Sequence, residues 1–304
     1  MKSYPAKVLL FGEHTVNLGT SALAMPLPAY SSRWQQAFLP KEETLKKQQQ
    51  LPRLVDWLET QSAILPFSLD TGAFRKALSD GWVLDSNIPA GYGLGSSGSV
   101  VAAIVDRWGS RLPKDLNTLR KGLAAMEVFF HGKSSGTDPL VSFLQQPVRI
   151  SEKGIETVSL PQLNDSGIFL LDTGIRRTAT PLIRKFLKAW AEPAFQNLCK
   201  EFLLPSVNAA IEKMLVGDWQ GLFEDFEQIS RFQLRHTPWL IPDEFQPLWK
   251  SLLEGQCAAL KICGAGGGGF MLGMVRPGAS LPEPLAAPRE ATKKWPVEFL
   301  GIPG

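Results

Sequence analysis

Gly91-Tyr92-Gly93-Leu94-Gly95-Ser96-Ser97-Gly98-Ser99 joins a strand-like segment, Trp82 to Asn87, to an apolar, helix-like stretch that ends at Trp108. Glycines let the backbone curl so that several N–H groups converge on one point, and a helix start adds partial positive charge there. The stretch reads as a phosphate cradle, and a nucleotide is the phosphate donor that suits it. It is not a P-loop, because no Lys follows the glycines, nor a clean dinucleotide turn. A tight strand-to-helix turn without a ligand explains the glycines equally well. The hydroxyls at the helix start favour the cradle. Ser97 can offer an oxygen to Mg²⁺, and Ser96 or Ser99 can donate to a phosphate oxygen.

Outward from this loop, residues 4–11 and 20–27 read as strands around a loop from Gly12 to Gly19. Lys41 to Leu58 is helical in composition and is broken or restarted at Pro52. Asp70 or Thr71 caps a helix to Leu78. A further helix runs from Lys114 to Phe130, with Leu116, Leu119, Leu123, Met126 and Phe130 at helical spacing. His131 to Pro139 reads as a loop. Short strands follow near 147–151, 155–159 and 168–172. Pro181 to Glu254 is almost all helix, and its stripe of Trp219, Leu222, Phe223, Phe226, Ile229 and Phe232 is core. Cys257–Cys263 and Phe270–Val275 are strands joined by glycines. The tail holds a basic helix-like piece, Glu290 to Lys294, and a strand from Trp295 to Leu300. Strands dominate the first half and helices the second, so the class is α+β. A lobe boundary near residue 165 gives lobes 1–165 and 166–304.

The 304 residues can bury a sizeable core, and a net charge of +3 with scattered lysines and arginines gives no nucleic-acid stripe. No apolar run approaches the roughly 20 residues that span a bilayer. Three cysteines, Cys199, Cys257 and Cys263, show no metal or redox spacing and suit a reducing cytoplasm.

Phosphoryl transfer needs a cradle, a divalent metal, a cation on the developing charge, and a group that orients or deprotonates the attacking hydroxyl. Glu127 sits near the end of an otherwise apolar helix, where a charge is costly unless paired or metal-bound. A place on the solvated face is the simpler reading. Asp138 precedes Pro139 in a Ser/Gly-rich stretch; it is either a turn residue or the acceptor of a hydroxyl proton. Lys7 lies within an apolar strand and should want a partner, for which Asp138 is suited. Gly264–Gly269 offers a second backbone concavity, or else an interlobe turn. His14 could contact substrate; His131 and His236 read as structural.

Three segments, Pro5-Ala6-Lys7-Val8 to Gly12-Glu13-His14, Gly91–Ser99 and Lys261–Gly269, together resemble the signature motifs of the GHMP kinase superfamily, the galactokinase, homoserine kinase, mevalonate kinase and phosphomevalonate kinase group. They occur in order and bracket nearly the whole chain. Within the superfamily the sequence is most similar to the mevalonate kinases. The resemblance implies an N-terminal lobe with a left-handed βαβ unit, a ferredoxin-like C-terminal lobe, and MgATP between them. It implies that Gly91, Gly93, Leu94, Gly95, Ser96, Ser97, Gly98 and Ser99 bind the nucleotide. Ser97 and Glu127 match the Mg²⁺ ligands, and Asp138 the catalytic aspartate, with Lys7 beside it. Glu13, His14, Thr178, Gly266 and Gly267 fall on the substrate side. The implied acceptor is mevalonate or a related hydroxy acid, with small molecules as the partners and the choice between monomer and homodimer open.

The departures are informative. Ser134-Ser135 replaces the usual Pro-Ser, Pro139 often stands as Asn, and Gly98 sits where Ala is common. Val16-Asn17 departs from the galactokinase pattern and argues against galactose. Asp138 argues against homoserine. Phosphomevalonate is harder to exclude than galactose or homoserine, since Arg176-Arg177 and the segment from Phe232 to Pro238 can read a carboxylate or a phosphate alike. A GHMP-fold protein that only binds ATP has no need of Lys7, Ser97, Glu127 and Asp138 together. A dinucleotide oxidoreductase needs an acidic residue about 20 residues past the glycines at a strand end; Asp115 has the spacing but stands at a helix start.

Overall fold

The computed structural model describes residues 2–36, 49–286 and 297–300. The part of the expected helix at 41–48 and the basic piece from Glu290 to Lys294 lie outside the described residues. The first half contains, in order, β1 (Ser3–Phe11), β2 (Ala22–Gln36), α1 (Gln50–Gln61), β3 (Ser68–Leu69), α2 (Thr71–Ser79) and β4 (Trp82–Ser86). These are followed by α3 (Ser96–Trp108), β5 (Gly109–Ser110), α4 (Leu116–His131), α5 (Thr137–Leu144), β6 (Val148–Ser151) and β7 (Gly154–Thr157). The second half contains β8 (Ile168–Asp172), α6 (Ala179–Trp190), α7 (Pro193–Leu198), α8 (Leu204–Val216) and α9 (Trp219–His236). It ends with α10 (Gln246–Gly255), β9 (Ala258–Ile262), β10 (Phe270–Val275) and β11 (Val297–Phe299).

The first sheet is built on β2. β1 pairs antiparallel along one edge of β2, while β4 and β6 pair along the other edge at opposite ends, and β7 returns on β6. β2 runs well past the strand expected at 20–27. Its register against β1 jumps from Leu27 opposite Ala6 to Ser31 opposite Pro5, so Pro28 lies in a bulge and removes no ladder donor. The second sheet is antiparallel in the order β11-β8-β10-β9. In chain order this is 4-1-3-2, the arrangement expected of a ferredoxin-like lobe.

Local signals account for most helix starts. Asp70 accepts the Ala73 N–H and Asp115 the Thr118 N–H, each at 2.8 Å, and so cap α2 and α4. Pro52 lies in the first turn of α1, where its missing N–H breaks nothing. The loop expected up to Pro139 ends at Gly136 instead. α5 begins at Thr137, so Asp138 is a first-turn helix residue and not a turn residue.

β1 is buried on both faces. Ala6, Val8 and Leu10 join a core shared with the second sheet and α8 to α10. Tyr4 and Leu9 face a second core with α1, α3 and α4. The expected stripe on α9 is buried against the second sheet, through Leu222, Phe223, Phe226, Ile229 and Phe232.

Candidate active site

The glycine loop, the middle of β1 and the start of α5 meet at one point. Ser96, Ser97 and Gly98 are the first residues of α3, whose opening N–H groups have no acceptor within the helix. The Lys7 N–H donates to the Leu94 carbonyl at 2.9 Å, which fixes the loop to β1. Leu94 is thus a buried backbone anchor of the loop. The Lys7 ammonium is buried and lies 3.0 Å from Asp138 Oδ1. Asp138 and Lys7 both abut Gly95: a Cβ there would lie 3.1 Å from the Asp138 Cβ and 3.3 Å from Lys7 Cγ. Gly98 lets α3 and α5 touch, since a Cβ at 98 would lie 2.7 Å from the Pro139 nitrogen and 2.8 Å from the Asp138 carbonyl carbon.

Glu127 is not on a solvated face. It is 5% exposed, accepts from Ser97 Oγ at 2.7 Å, and also accepts a short hydrogen bond from Ser134 Oγ. Burial, then the charge of Asp138, push its carboxyl up to about 7, against the opposing pull of Ser134, Ser97 and Lys7. Ser99 corrects an expectation. Its hydroxyl is buried, donates to the Tyr4 carbonyl at 3.1 Å and bonds Ser32 Oγ at 2.6 Å, so it ties α3 to the sheet and does not face the cradle.

His14 and Arg177 form the other end of the site. The His14 ring stacks on Phe186 with centroids 4.6 Å apart, and its Nε2 is buried without a partner. Burial first, then Arg177, push the imidazole down to about 4, partly opposed by a hydrogen bond to the backbone of Ala265. Arg177 reaches over the glycine loop. A Cβ at Gly93, whose φ is 75°, would sit 1.9 Å from Arg177 Nη2. Arg177 Nη2 lies 3.4 Å from the Cys263 carbonyl, while Nε and Nη1 are buried with no partner. Burial lowers its pKa from the usual value. The Arg176-Arg177 pair is visible in the sequence, but not which of the two turns inward. Thr178 is exposed at the start of α6 and its hydroxyl makes no capping bond.

Glu13 and the last glycine loop depart from expectation. Glu13 is buried and its Oε1 is 2.6 Å from the Lys261 ammonium, an ion pair within the protein interior. Gly264–Gly269 spends backbone groups on the protein: the Gly267 N–H donates to the Leu240 carbonyl at 2.7 Å and the Gly269 N–H to Ile175 at 2.8 Å. A Cβ at Gly266 would meet the Leu240 carbonyl oxygen at 2.5 Å. The Gly267 N–H is therefore spent on the protein and not offered to a substrate, and Gly266 packs against Leu240. Asp115, the acid an oxidoreductase would need, is committed to capping α4.

Residues 66–146, which hold the glycine loop, Glu127 and Asp138, match the GHMP kinases N terminal domain. The similarity extends beyond it. The chain is 26% identical to a mevalonate kinase of Thermococcus gammatolerans over 309 residues, covering 89% of this chain and 87% of the relative. Its fold matches the crystal structure of L. major mevalonate kinase in complex with R-mevalonate with a TM-score of 0.62, at 17% identity, over 90% of this chain and 87% of that one. Lactococcus lactis galactokinase complexed with galactose matches with the same TM-score of 0.62, at 15% identity, over 90% and 84% of the two chains. The α+β GHMP kinase fold is thus shared, and the fold alone does not distinguish the acceptors. Among the described residues no helix is long and apolar enough to cross a membrane.

Proposed function

We propose that this protein is a mevalonate kinase, transferring the γ-phosphoryl group of MgATP to the primary hydroxyl of mevalonate in the cytoplasm. The broader class, an ATP-dependent kinase of an alcohol group, is supported by the N-terminal domain match and by similarity to mevalonate kinases along most of the chain. The observation that carries the mechanism is the buried Lys7 ammonium 3.0 Å from Asp138 Oδ1, beside the glycine loop.

The opening N–H groups of α3 would hold the nucleotide phosphates. Asp138 would orient the acceptor hydroxyl and take its proton as the oxygen bonds to the γ-phosphorus and the bond to ADP breaks. Lys7 would steady the charge that develops there. Ser97 and the buried Glu127 form a pair of hard oxygen donors. Among the described residues no three His, Cys, Asp or Glu side chains group as a metal cage. Two hard oxygens side by side suit Mg²⁺, which would keep waters and phosphate oxygens as its other ligands and neutralise phosphate charge. The unpartnered N–H groups of Arg177 suit an anionic acceptor, and the neutral His14, whose ring N–H is spent on the Ala265 backbone, leaves Nε2 to accept from a hydroxyl. The Arg177 groups serve a carboxylate or a phosphate, so phosphomevalonate is the second reading. We further propose that the lobes divide near residue 165, between β7 and β8.

The test is ADP release from purified protein with MgATP and mevalonate, phosphomevalonate, galactose or homoserine. Turnover on mevalonate alone is expected, and Asp138→Asn should lower it by on the order of 10²–10⁴ with nucleotide binding kept. Equal turnover by parent and variant would remove Asp138 from the mechanism. Turnover on phosphomevalonate alone would favour the second reading.

A further inference from the structure

Glu13, Lys261 and Gln233 come from the loop after β1, from β9 and from α9, and they meet inside the protein. Lys261 is completely enclosed, with Nζ 2.6 Å from Glu13 Oε1 and 2.9 Å from each of the Leu10 and Ile262 carbonyls. Gln233 Nε2 donates to Glu13 Oε1 at 2.8 Å, and Gln233 Oε1 accepts the Ile262 N–H at 2.9 Å. Glu13 Oε2 is buried with no partner.

Stability is a poor reason for this arrangement. Replacing both members of a buried ion pair by apolar residues is often neutral or favourable, and an orphaned carboxylate oxygen adds a further cost. Its geometry suggests another purpose. The residue after Glu13 is His14, held at φ 62°. The His14 ring is bonded to the backbone of Ala265, which lies four residues beyond Lys261 on the turn leaving β9. The cluster thus ties together both chain segments that grip the imidazole.

We propose that Lys261, Glu13 and Gln233 are positioning residues, an interlobe strut that holds His14 at the acceptor end of the site. The consequence for catalysis rests on the kinase reading above; the placement of His14 does not. Placement errors near one ångström in such a site are worth up to about 100-fold.

The test joins Lys261→Met and Glu13→Leu in one chain, which removes both charges and leaves no single buried ion. Thermal melting reports whether that chain folds. In ¹⁵N-labelled protein the His14 ring resonance, assigned by its disappearance in His14→Gln, should shift in the folded double variant. The KM for mevalonate should rise by on the order of 10- to 100-fold, well beyond any rise in the KM for MgATP. Gln233→Met, a milder change, should move both readouts the same way by less, and it serves if the double variant does not fold. An unmoved His14 resonance in a folded variant overturns the strut. So does an equal rise in both KM values, which would mean general loosening. Lack of turnover on mevalonate by the parent protein would overturn the mevalonate reading and leave the resonance as the test of the strut.

Discussion

The His14 imidazole is held down to about 4 from an ordinary 6.5, because burial and Arg177 both disfavour its charged form. An unfolded chain would protonate this histidine below about 6.5, whereas the folded chain does so only near 4. Between those values the unfolded state binds more protons, so this residue's contribution to stability rises with pH. Urea unfolding of parent and His14→Gln at several pH values should show the parent gaining up to about 3 kcal/mol on the variant between pH 4 and 6.5. A constant difference would mean that the imidazole titrates normally. Glu127 has the opposite sign. Its raised carboxyl favours the folded chain in acid, and that contribution is lost as pH rises through about 7. Only the difference between parent and variant therefore isolates His14. At this scale the sequence pointed to Lys7 beside Asp138, whereas Glu127 read most simply as a solvated residue and was paired with Ser97 only by the resemblance. The sequence did not foresee that Lys261 and Gln233 meet Glu13. Their partners lie 248 and 220 positions away along the chain, and no local pattern encodes such a meeting.

Helices α3 and α5 approach so closely at Gly98 that a methyl group has no room. Alanine favours a helix over glycine by up to about 1 kcal/mol. Against that gain, the added carbon would lie 2.7 to 2.9 Å from Pro139 and Asp138, and two of the three nearest atoms are backbone, which yields little. Overpacking prevails, so Gly98→Ala should cost about 1–3 kcal/mol by chemical denaturation. It should also lower turnover more than nucleotide affinity, because the displaced segment carries Asp138. An unchanged denaturation midpoint would show that α5 moves freely. Most elements were legible from caps and periodicity, α2 from its capping residue and α4 from its apolar spacing above all. α5 was not, because Gly136 and Pro139 mark a loop by composition. A proline in the first turn is compatible with a helix, and α5 uses that allowance. The extension of β2 was hidden in the same way, with Pro28 set in a bulge that only pairing with β1 reveals.

Across the whole molecule, Ala6, Val8, Leu10, Leu23 and Leu27 of the first sheet pack in the same core as the second sheet and its helices. The first half cannot bury these residues by itself. Unfolding should be a single transition, with far-ultraviolet circular dichroism and tryptophan fluorescence giving the same midpoint in urea. A fragment of residues 1–165 should fail to show a cooperative transition. Two separated midpoints, or a folded fragment, would mean that the lobes are independent. Composition along the chain indicated two lobes, and the strand order of each follows from pairings that the sequence does not display. The shared core was equally hidden, since β1 reads simply as an apolar strand and gives no sign of which partner each face will meet.

Gly98 and Pro139 are two of the places where this chain leaves the pattern it resembles, and they face each other across one contact. The atoms that crowd position 98 are the backbone nitrogen of 139 and the carbonyl carbon and Cβ of Asp138, so exchanging the proline side chain alone opens no room for an alanine. A lineage that acquired an alanine at 98 would have to move the start of α5, and Asp138 with it.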